Sequence, residues 1–597
     1  MIKNWPARLL PVCLLFVIAA TTHITVGAAA GERPNVILVL TDDQGYGDMG
    51  FAGNPIVRTP QMDAMATRSV MMQNFYVCPA CTPTRASLMT GRYNFRTRAI
   101  DTFLGRAMMD PGEVTVAEVL HRAGYATGIF GKWHLGDTYP LRAMDKGFEE
   151  ALVHRGGGIG QAGDPPGGEG KYTDPILFRN GRQVAMKGYC TDVFFNEGLR
   201  WAGAQARKGR PFFLYLPTNA PHGPYNDVPP DKLAYYKQQR ITPDRFPKTP
   251  GQPVRSDINA DELARLYAMI ENIDDNLGRL FAWLDREKLT DNTLVLFLTD
   301  NGEATWGFNA GLRDRKTSPY EGGIKTPLFA QWPGKLQPGV CSDRIAAHID
   351  LMPTILEVCG VPVPAGLKLD GRSLVPLWKR QPGDWPDRVL FFQMHRGDVP
   401  VRYHNCSVRA QHWKLVHGTG FGTETFSGPL KLELYNMDTD PWEMHDVAAE
   451  HPDIVADLKR RYDAWFDDVG STRPDNYAPV RILLGTPHEN PVVLTRQDWR
   501  VGTPRQKPYG HWLVNVTGAG NYDVTLRFKP VKKPATAHFL LGDVKAEQPA
   551  DADTETVIFK NISLPAGPGQ LEAWLDANNQ KAGAMFVEVL RRQPDRK

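Results

Sequence analysis

Four short apolar runs, each ending in a polar cluster, set the rhythm of the chain. Asn35 to Leu40 leads into Thr41, Asp42, Asp43 and Gln44, and Tyr125 to Phe130 into Gly131, Lys132, Trp133 and His134. Phe212 to Leu216 precedes Thr218, Asn219, Ala220, Pro221 and His222, and Thr293 to Leu298 precedes Thr299, Asp300, Asn301 and Gly302. Runs without polar alternation predict strands buried on both faces, as in a parallel sheet. The carboxyl ends of such strands are where open α/β sheets bind their ligands.

Between these runs the apolar spacing turns helical. Thr115 and Glu118 form a capping-box pattern ahead of Val116, Val119, Leu120 and Ala123, and Gly124 stops the helix. A helix starts near Thr191, and Leu263, Leu266, Ile270, Ile273, Leu277 and Leu280 space like the buried stripe of a long one. Asp274 and Asp275 fall on its polar side. Gly158, Gly160 and Gly163 spell a G-x-G-x-x-G, but no strand precedes it and Asp164, Pro165 and Pro166 follow, so a loop is predicted rather than a dinucleotide site.

Later the pattern shortens. From Arg388 to about Val469 short strands are closed by a helix, with Leu434, Tyr435, Asp438, Asp440, Pro441 and Glu443 in the middle. From Ile482 onward, alternating runs such as Trp512 to Val516 and Tyr522 to Phe528 between Gly, Pro, Asp and Lys turns predict a β-sandwich. It serves as a carbohydrate-binding or packing module, or as a structural cap. At the other end, Lys3 and Arg8 precede an apolar run from Leu9 to Ala20, with small residues at Gly27 to Ala30. That is the layout of a secretory signal over 1–30, and the run is too short to span a membrane. The mature chain is expected to be exported, periplasmic or secreted.

Composition narrows the partners. At 597 residues two or three domains are expected. A formal net charge of +3 with 23% charged residues is ordinary for a globular protein and does not call for nucleic acid. Cys13 lies in the leader, leaving Cys78, Cys81, Cys190, Cys341, Cys359 and Cys406. Their pairing does not follow from spacing, and no second C-x-x-C pair points to zinc.

Cys81, Thr82, Pro83, Thr84 and Arg85 run on to Thr90, Gly91 and Arg92. Pro83 suits a first helical turn and Gly91 a C-terminal stop, so residue 81 sits at a helix N-terminus, where an anion is favoured. The C-x-P-x-R core followed by Thr-Gly resembles the signature of the type I sulfatases. The Gly-Lys-Trp-His-Leu-Gly segment from Gly131, and Lys316 ahead of Tyr320, Glu321, Gly322 and Gly323, resemble two further motifs of that family, although Asp314 and Arg315 stand where small residues are usual. His445 and Asp446 replace the usual Asn-Leu pair, away from every proposed catalytic residue.

The resemblance covers approximately 33–470 and implies an alkaline-phosphatase-like fold, a mixed sheet between helices with a smaller α+β subdomain. It places a catalytic domain at 31–385 and the subdomain at 386–480, and the alternating pattern beyond them adds an all-β accessory domain at 481–597. It further implies that a maturation enzyme oxidises Cys81 to formylglycine, whose hydrate attacks sulfur while Arg85 steadies it. One calcium ion would be held by Asp42, Asp43, Asp300, Asn301 and modified residue 81. Lys132 and Lys316 would hold sulfate oxygens, His222 would protonate the leaving alcohol, and His134 would take the proton that releases sulfate. The implied activity is a sulfatase acting on a sulfate ester, more specifically a carbohydrate sulfate. The alternatives are a phosphomonoester or phosphonate-ester hydrolase of the same superfamily and a catalytically silent glycan-binding protein. His154, Arg155, His395 and Arg396 are substrate-side candidates expected in loops.

Overall fold

The computed structural model describes residues 33–168, 170–380, 385–501 and 509–592. The expected leader, Cys13 included, lies outside them. A large mixed sheet dominates the N-terminal part. Its strands are β1 (Asn35–Thr41), β2 (Val70–Tyr76), β3 (Ala126–Lys132), β4 (Glu150–His154), β5 (Ile176–Arg179), β6 (Arg182–Ala185), β7 (Phe212–Pro217), β8 (Thr293–Thr299), β9 (Lys325–Gln331), β10 (Cys341–Ser342) and β11 (Ala346–Ala347). They lie in the order β10-β2-β9-β8-β1-β7-β3-β4-β5-β6, with β11 also against β2. β1 is flanked by β7 and β8, both parallel to it, and β3 continues the parallel block beyond β7. β9 is antiparallel to β8 and β2, which makes the sheet mixed.

The unbroken apolar runs are explained by layers on both faces. Ile37 and Val39 of β1 pack into one core with Phe194 and Leu199 of α4 (Cys190–Arg207) and Leu266 and Ile270 of α6 (Ala260–Arg286). Val36, Leu38 and Leu40 point into the opposite core with Leu88 and Met89 of α2 (Cys81–Thr90) and Val116 and Leu120 of α3 (Val116–Arg122). Each such side chain contributes about 1.5–3 kcal/mol on burial. Two further helices, α1 (Pro60–Arg68) and α5 (Pro230–Lys237), pack against α6.

α2 forms as its ends predict. Ala80 is extended and unable to cap through its side chain, Pro83 occupies the first turn, and Gly91 at φ 66° closes the helix with its N–H on the Ser87 carbonyl at 2.9 Å. Thr115 and Glu118 make the predicted reciprocal capping box of α3. The glycine stretch 156–163 is a loop. One expectation fails on α6. Asp275 is exposed, but Asp274 is buried and accepts the backbone N–H of Gln61 and Met62, so it caps the start of α1 in place of an unused cap side chain.

Beyond the large sheet, four antiparallel strands follow, β12 (Leu390–Gln393), β13 (Cys406–Arg409), β14 (Trp413–His417) and β15 (Glu433–Asn436), packed by the helix Pro452–Ser471. Residues 482–591 form two sheets, one of six strands and one of four, around a shared core of Trp512, Val514, Tyr522, Val524, Leu575 and Val589 among others. Among the described residues no helix is long and apolar enough to cross a membrane. All six cysteines there carry free thiols.

Candidate active site

Parallel pairing brings the polar clusters together. Thr41 lies opposite Thr299, and Leu40 opposite Pro217, so β1, β7 and β8 end at one level and deliver Asp42, Asp43, Asp300, Asn301 and the His222 loop to one edge. β3 brings Lys132 to the same edge. α2 points its N-terminus there, with Cys81 as first residue. Asp43 and His134 have left-handed backbones at φ 64° and 58°, conformations that concentrate at functional sites.

The contacts form one closed network. Lys132 Nζ donates to Asp42 Oδ2 at 2.6 Å, and Lys316 Nζ to Asp43 Oδ1 at 2.5 Å. Arg85 donates through Nε and Nη2 to Asp300 Oδ2 at 3.2 and 2.8 Å, and through Nη1 to the Lys132 carbonyl at 3.1 Å. Asn301 Nδ2 reaches Asp43 Oδ1 at 2.9 Å, and Asp43 N–H reaches Asp300 Oδ1 at 3.1 Å. Cys81 Sγ lies 3.8 Å from Asp43 Oδ1 and 3.3 Å from Lys316 Nζ. His222 Nδ1 meets the Gly223 carbonyl at 2.5 Å, which directs Nε2 to Asp43 Oδ2 at 3.5 Å.

Burial sets the protonation states. It pushes the Cys81 thiol far above its ordinary value, against Lys132 and Lys316, so the thiol as it stands is not an activated nucleophile. Burial raises Asp300 to about 6, with Asp42 adding to the rise and Arg85 and Lys132 opposing it. Asp43 goes the other way: burial opposes its ionisation, but Lys316, then His222 and Lys132, hold it well below the usual range. Burial lowers His222 to about 4 and His134 well below its ordinary value, so both imidazoles are neutral.

The donor set suits a hard cation. Asp42 Oδ1 and Asn301 Oδ1 are buried with no hydrogen-bond partner, a costly arrangement unless another group satisfies them. Ligand atoms of Asp42, Asp43, Cys81 and His222 all lie within 4.8 Å of one another. The Asp42 and Asp43 carboxylates at that focus, with the unpartnered amide oxygen of Asn301, whose Nδ2 bonds Asp43, are oxygen donors of the kind calcium takes.

The Sulfatase family model matches residues 34–361, more than half of the chain and the stretch that holds every residue named above. The chain belongs to the type I sulfatase family. A second model, N-sulphoglucosamine sulphohydrolase, C-terminal, matches residues 309–466. This sulfatase is 32% identical over 504 residues to arylsulfatase A of Homo sapiens, covering 75% of this chain and 90% of that one. It is 29% identical over 484 residues to N-acetylgalactosamine-6-sulfatase of Homo sapiens, covering 72% and 85%. Among solved structures it is similar to Ps i-CgsB in complex with k-i-k-neocarrahexaose, with a TM-score of 0.61, 26% identity and coverage of 72% and 92%. It shares with arylsulfatase A and N-acetylgalactosamine-6-sulfatase the chemistry of a sulfuric ester hydrolase.

Some residues of the sulfatase sit differently from their sequence expectation. His154 is not in a surface loop but ends β4, opposite Lys132 in register, buried with Nε2 unpaired. Arg155 is also buried, stacked 4.2 Å over Phe178, and His395 is buried against His404. Arg396 is partly covered and paired with Asp101 at 2.6 Å. Among the described residues no hydrogen bond joins His134 to Cys81; its Nε2 meets the Thr102 carbonyl at 2.7 Å. Gln497, 3.4 Å from His134 Nε2, has no signal in the sequence, because it lies 363 residues away in the C-terminal β region.

Proposed function

We propose that this sulfatase hydrolyses a carbohydrate sulfate ester, using residue 81 in its formylglycine form and one calcium ion. The observation that carries the reading is the position of residue 81. It heads a helix, 3.3 Å from Lys316 Nζ and 3.8 Å from Asp43 Oδ1, beside two unsatisfied buried oxygens. The carbohydrate part is supported by relatives, one named for an N-acetylgalactosamine 6-sulfate and one solved with a neocarrahexaose.

Asp42, Asp43, Asp300 and Asn301 would hold the ion, with residue 81 completing the set. When bound, calcium supplies a positive charge that polarises a sulfate oxygen, and the formylglycine hydrate supplies an oxygen nucleophile that a buried thiol does not. The remaining work belongs to side chains of this chain. Three carboxylates face Lys132, Lys316 and Arg85, so a bound dication leaves two positive charges for the sulfate. The two lysines then turn from carboxylate to sulfate oxygens, where fixed charges in a dry site stabilise the developing charge. His222 gives its Nε2 proton to the leaving alcohol oxygen; its neutral resting state means that the proton arrives with the anionic substrate, which favours the imidazolium. His134 accepts a proton at Nδ1, since the Thr102 carbonyl, purely an acceptor, keeps the proton on Nε2.

The proposal includes export, on the apolar run Leu9 to Ala20, and a separate maturation enzyme that reads Cys81, Pro83 and Arg85. It assigns 31–385 and 386–480 as the catalytic pair and 481–597 as an accessory domain. Mass spectrometry of the residue 81 peptide from the native host tests the chemistry, with a loss of about 18 Da expected for thiol to aldehyde. Sulfate release from a panel of sulfated sugars tests the substrate. An unmodified thiol in fully active enzyme would overturn the formylglycine reading, and cleavage confined to aryl sulfates would overturn the carbohydrate reading.

A further inference from the structure

The second sheet pair does not stand apart from the site. After the strand Val492–Thr495 a short turn over Arg496–Asp498 dips into the large domain. Gln497 at its centre is buried, and Thr495 Oγ1 accepts its N–H at 3.2 Å. Its side-chain Nε2 donates to the Thr102 carbonyl at 2.8 Å, the same oxygen that receives His134 Nε2 at 2.7 Å. Two donors thus share one acceptor, which explains why the two nitrogens stand 3.4 Å apart without bonding each other.

The loop that carries this carbonyl is tied to the same turn twice more. Gly105 N–H donates to the Gln497 carbonyl at 3.2 Å, and Arg500 Nη1 donates to the Leu104 carbonyl at 3.1 Å. Gln497 Oε1 also stands against Gly156, where a β-carbon would come within 3.2 Å of it. The Thr102 carbonyl decides which imidazole nitrogen of His134 carries the proton, and it is held by residues about 395 positions away in sequence.

We propose that Gln497 is a positioning residue for His134: by donating to the Thr102 carbonyl it fixes the loop that holds the imidazole in its Nε2–H form, with Nδ1 open to accept a proton. The C-terminal β region is on this account a working part of the catalytic centre. The inference rests on the reading of His134 as the proton acceptor, and the test separates the two.

The variants are His134→Ala, Gln497→Ala, the isosteric Gln497→Met and Gln497→Glu, and the double variant His134→Ala/Gln497→Ala, all in the matured full chain with p-nitrophenyl sulfate as probe. Gln497→Ala and Gln497→Met are expected to lower kcat about tenfold, as loss of an outer partner of a working histidine does, with KM unchanged; Gln497→Ala also lowers Tm through the lost buried hydrogen bond and the cavity, so the isosteric Gln497→Met carries the comparison. Gln497→Glu places a carboxylate beside Nε2–H. It should raise the pH of the acid limb of kcat/KM, since the other charged or titratable groups around His134, namely Lys132, Arg85 and His154, are left in place. Adding Gln497→Ala to His134→Ala should cost nothing further. A full-rate Gln497→Met beside an inactive His134→Ala overturns the inference alone, as does an additive double variant. A fully active His134→Ala overturns the underlying reading and the inference with it.

Discussion

Two buried charge clusters, one under the small sheet and one at the carboxyl edge of the large sheet, are built differently. Under the small sheet, Lys414 Nζ is fully buried between Glu321 Oε1 at 2.9 Å and Glu443 Oε1 at 2.7 Å. Glu443 Oε2 accepts the Glu321 N–H at 2.6 Å, and Tyr76 Oη, itself bonded by Arg409 Nε at 2.8 Å, donates to Glu321 at 3.2 Å. Its charges meet at contact distance, although Glu443 Oε1 faces Lys414 as an ion pair without a hydrogen bond. At the carboxyl edge of the large sheet the lysines also touch carboxylates, but Asp42 Oδ1 has no hydrogen bond and its cation, Arg85 Nη2, stands off at 3.8 Å, Asn301 Oδ1 has no hydrogen-bond partner, and Lys316 remains partly exposed. The difference teaches that a buried ion cluster holds a fold together where opposite charges meet at contact distance, and leaves coordination open where they stand apart.

The largest effect expected is on the open cluster: Cys81→Ala, which cannot be converted to the proposed aldehyde, should reduce sulfate release by about a thousandfold or more while the melting temperature stays put. Lys414→Ala should do the reverse. Removing one partner of a buried pair costs about 3–5 kcal/mol, read by denaturant unfolding, whereas the turnover of whatever remains folded should match the parent; a stable but slow Lys414→Ala would collapse the comparison. Lys316→Ala should slow turnover by about a hundredfold, the scale for losing one fixed charge on a reacting anion, with little change in stability. Calcium sharpens the contrast further. Calorimetry in EGTA and then in calcium should show stabilisation of about 2.7 kcal/mol at a hundredfold excess over Kd, and Asp42→Asn should shrink that gain.

A third buried site centres on one carboxyl, Asp498. Burial pushes Asp498 up to about 8, with Asp137 adding to it and Arg155 and Arg500 opposing. A carboxyl whose folded pKa lies above its unfolded value binds more protons when folded, so stability falls as pH rises from about 4 towards 8. Asp498→Asn should flatten that slope and raise Tm at pH 8; an unchanged profile would show that the acid is not strained there.

Much of this could be read along the chain because the signals were local. The runs ending at Asp42, Lys132 and Asp300 are unbroken because both faces of β1, β3 and β8 are buried, and the Thr115 and Glu118 box lies within one helical turn. What escaped was set by distant partners. Asp274 sits in the register of a polar face, yet its fate is decided by the amides of Gln61 and Met62. His154 looked like a loop residue since β4 is short, and only pairing with β3 puts it beside Lys132. Gln497 carries no motif at all.

Every residue of α2, from Cys81 to Thr90, is buried in the finished fold. If residue 81 must be oxidised by another protein, that protein cannot reach it once the sheet has closed over the helix. Processing and folding then compete for the same minutes of the chain's life. A variant that folds faster would leave more of its molecules permanently unconverted, so the yield of active enzyme is governed by timing as well as by stability.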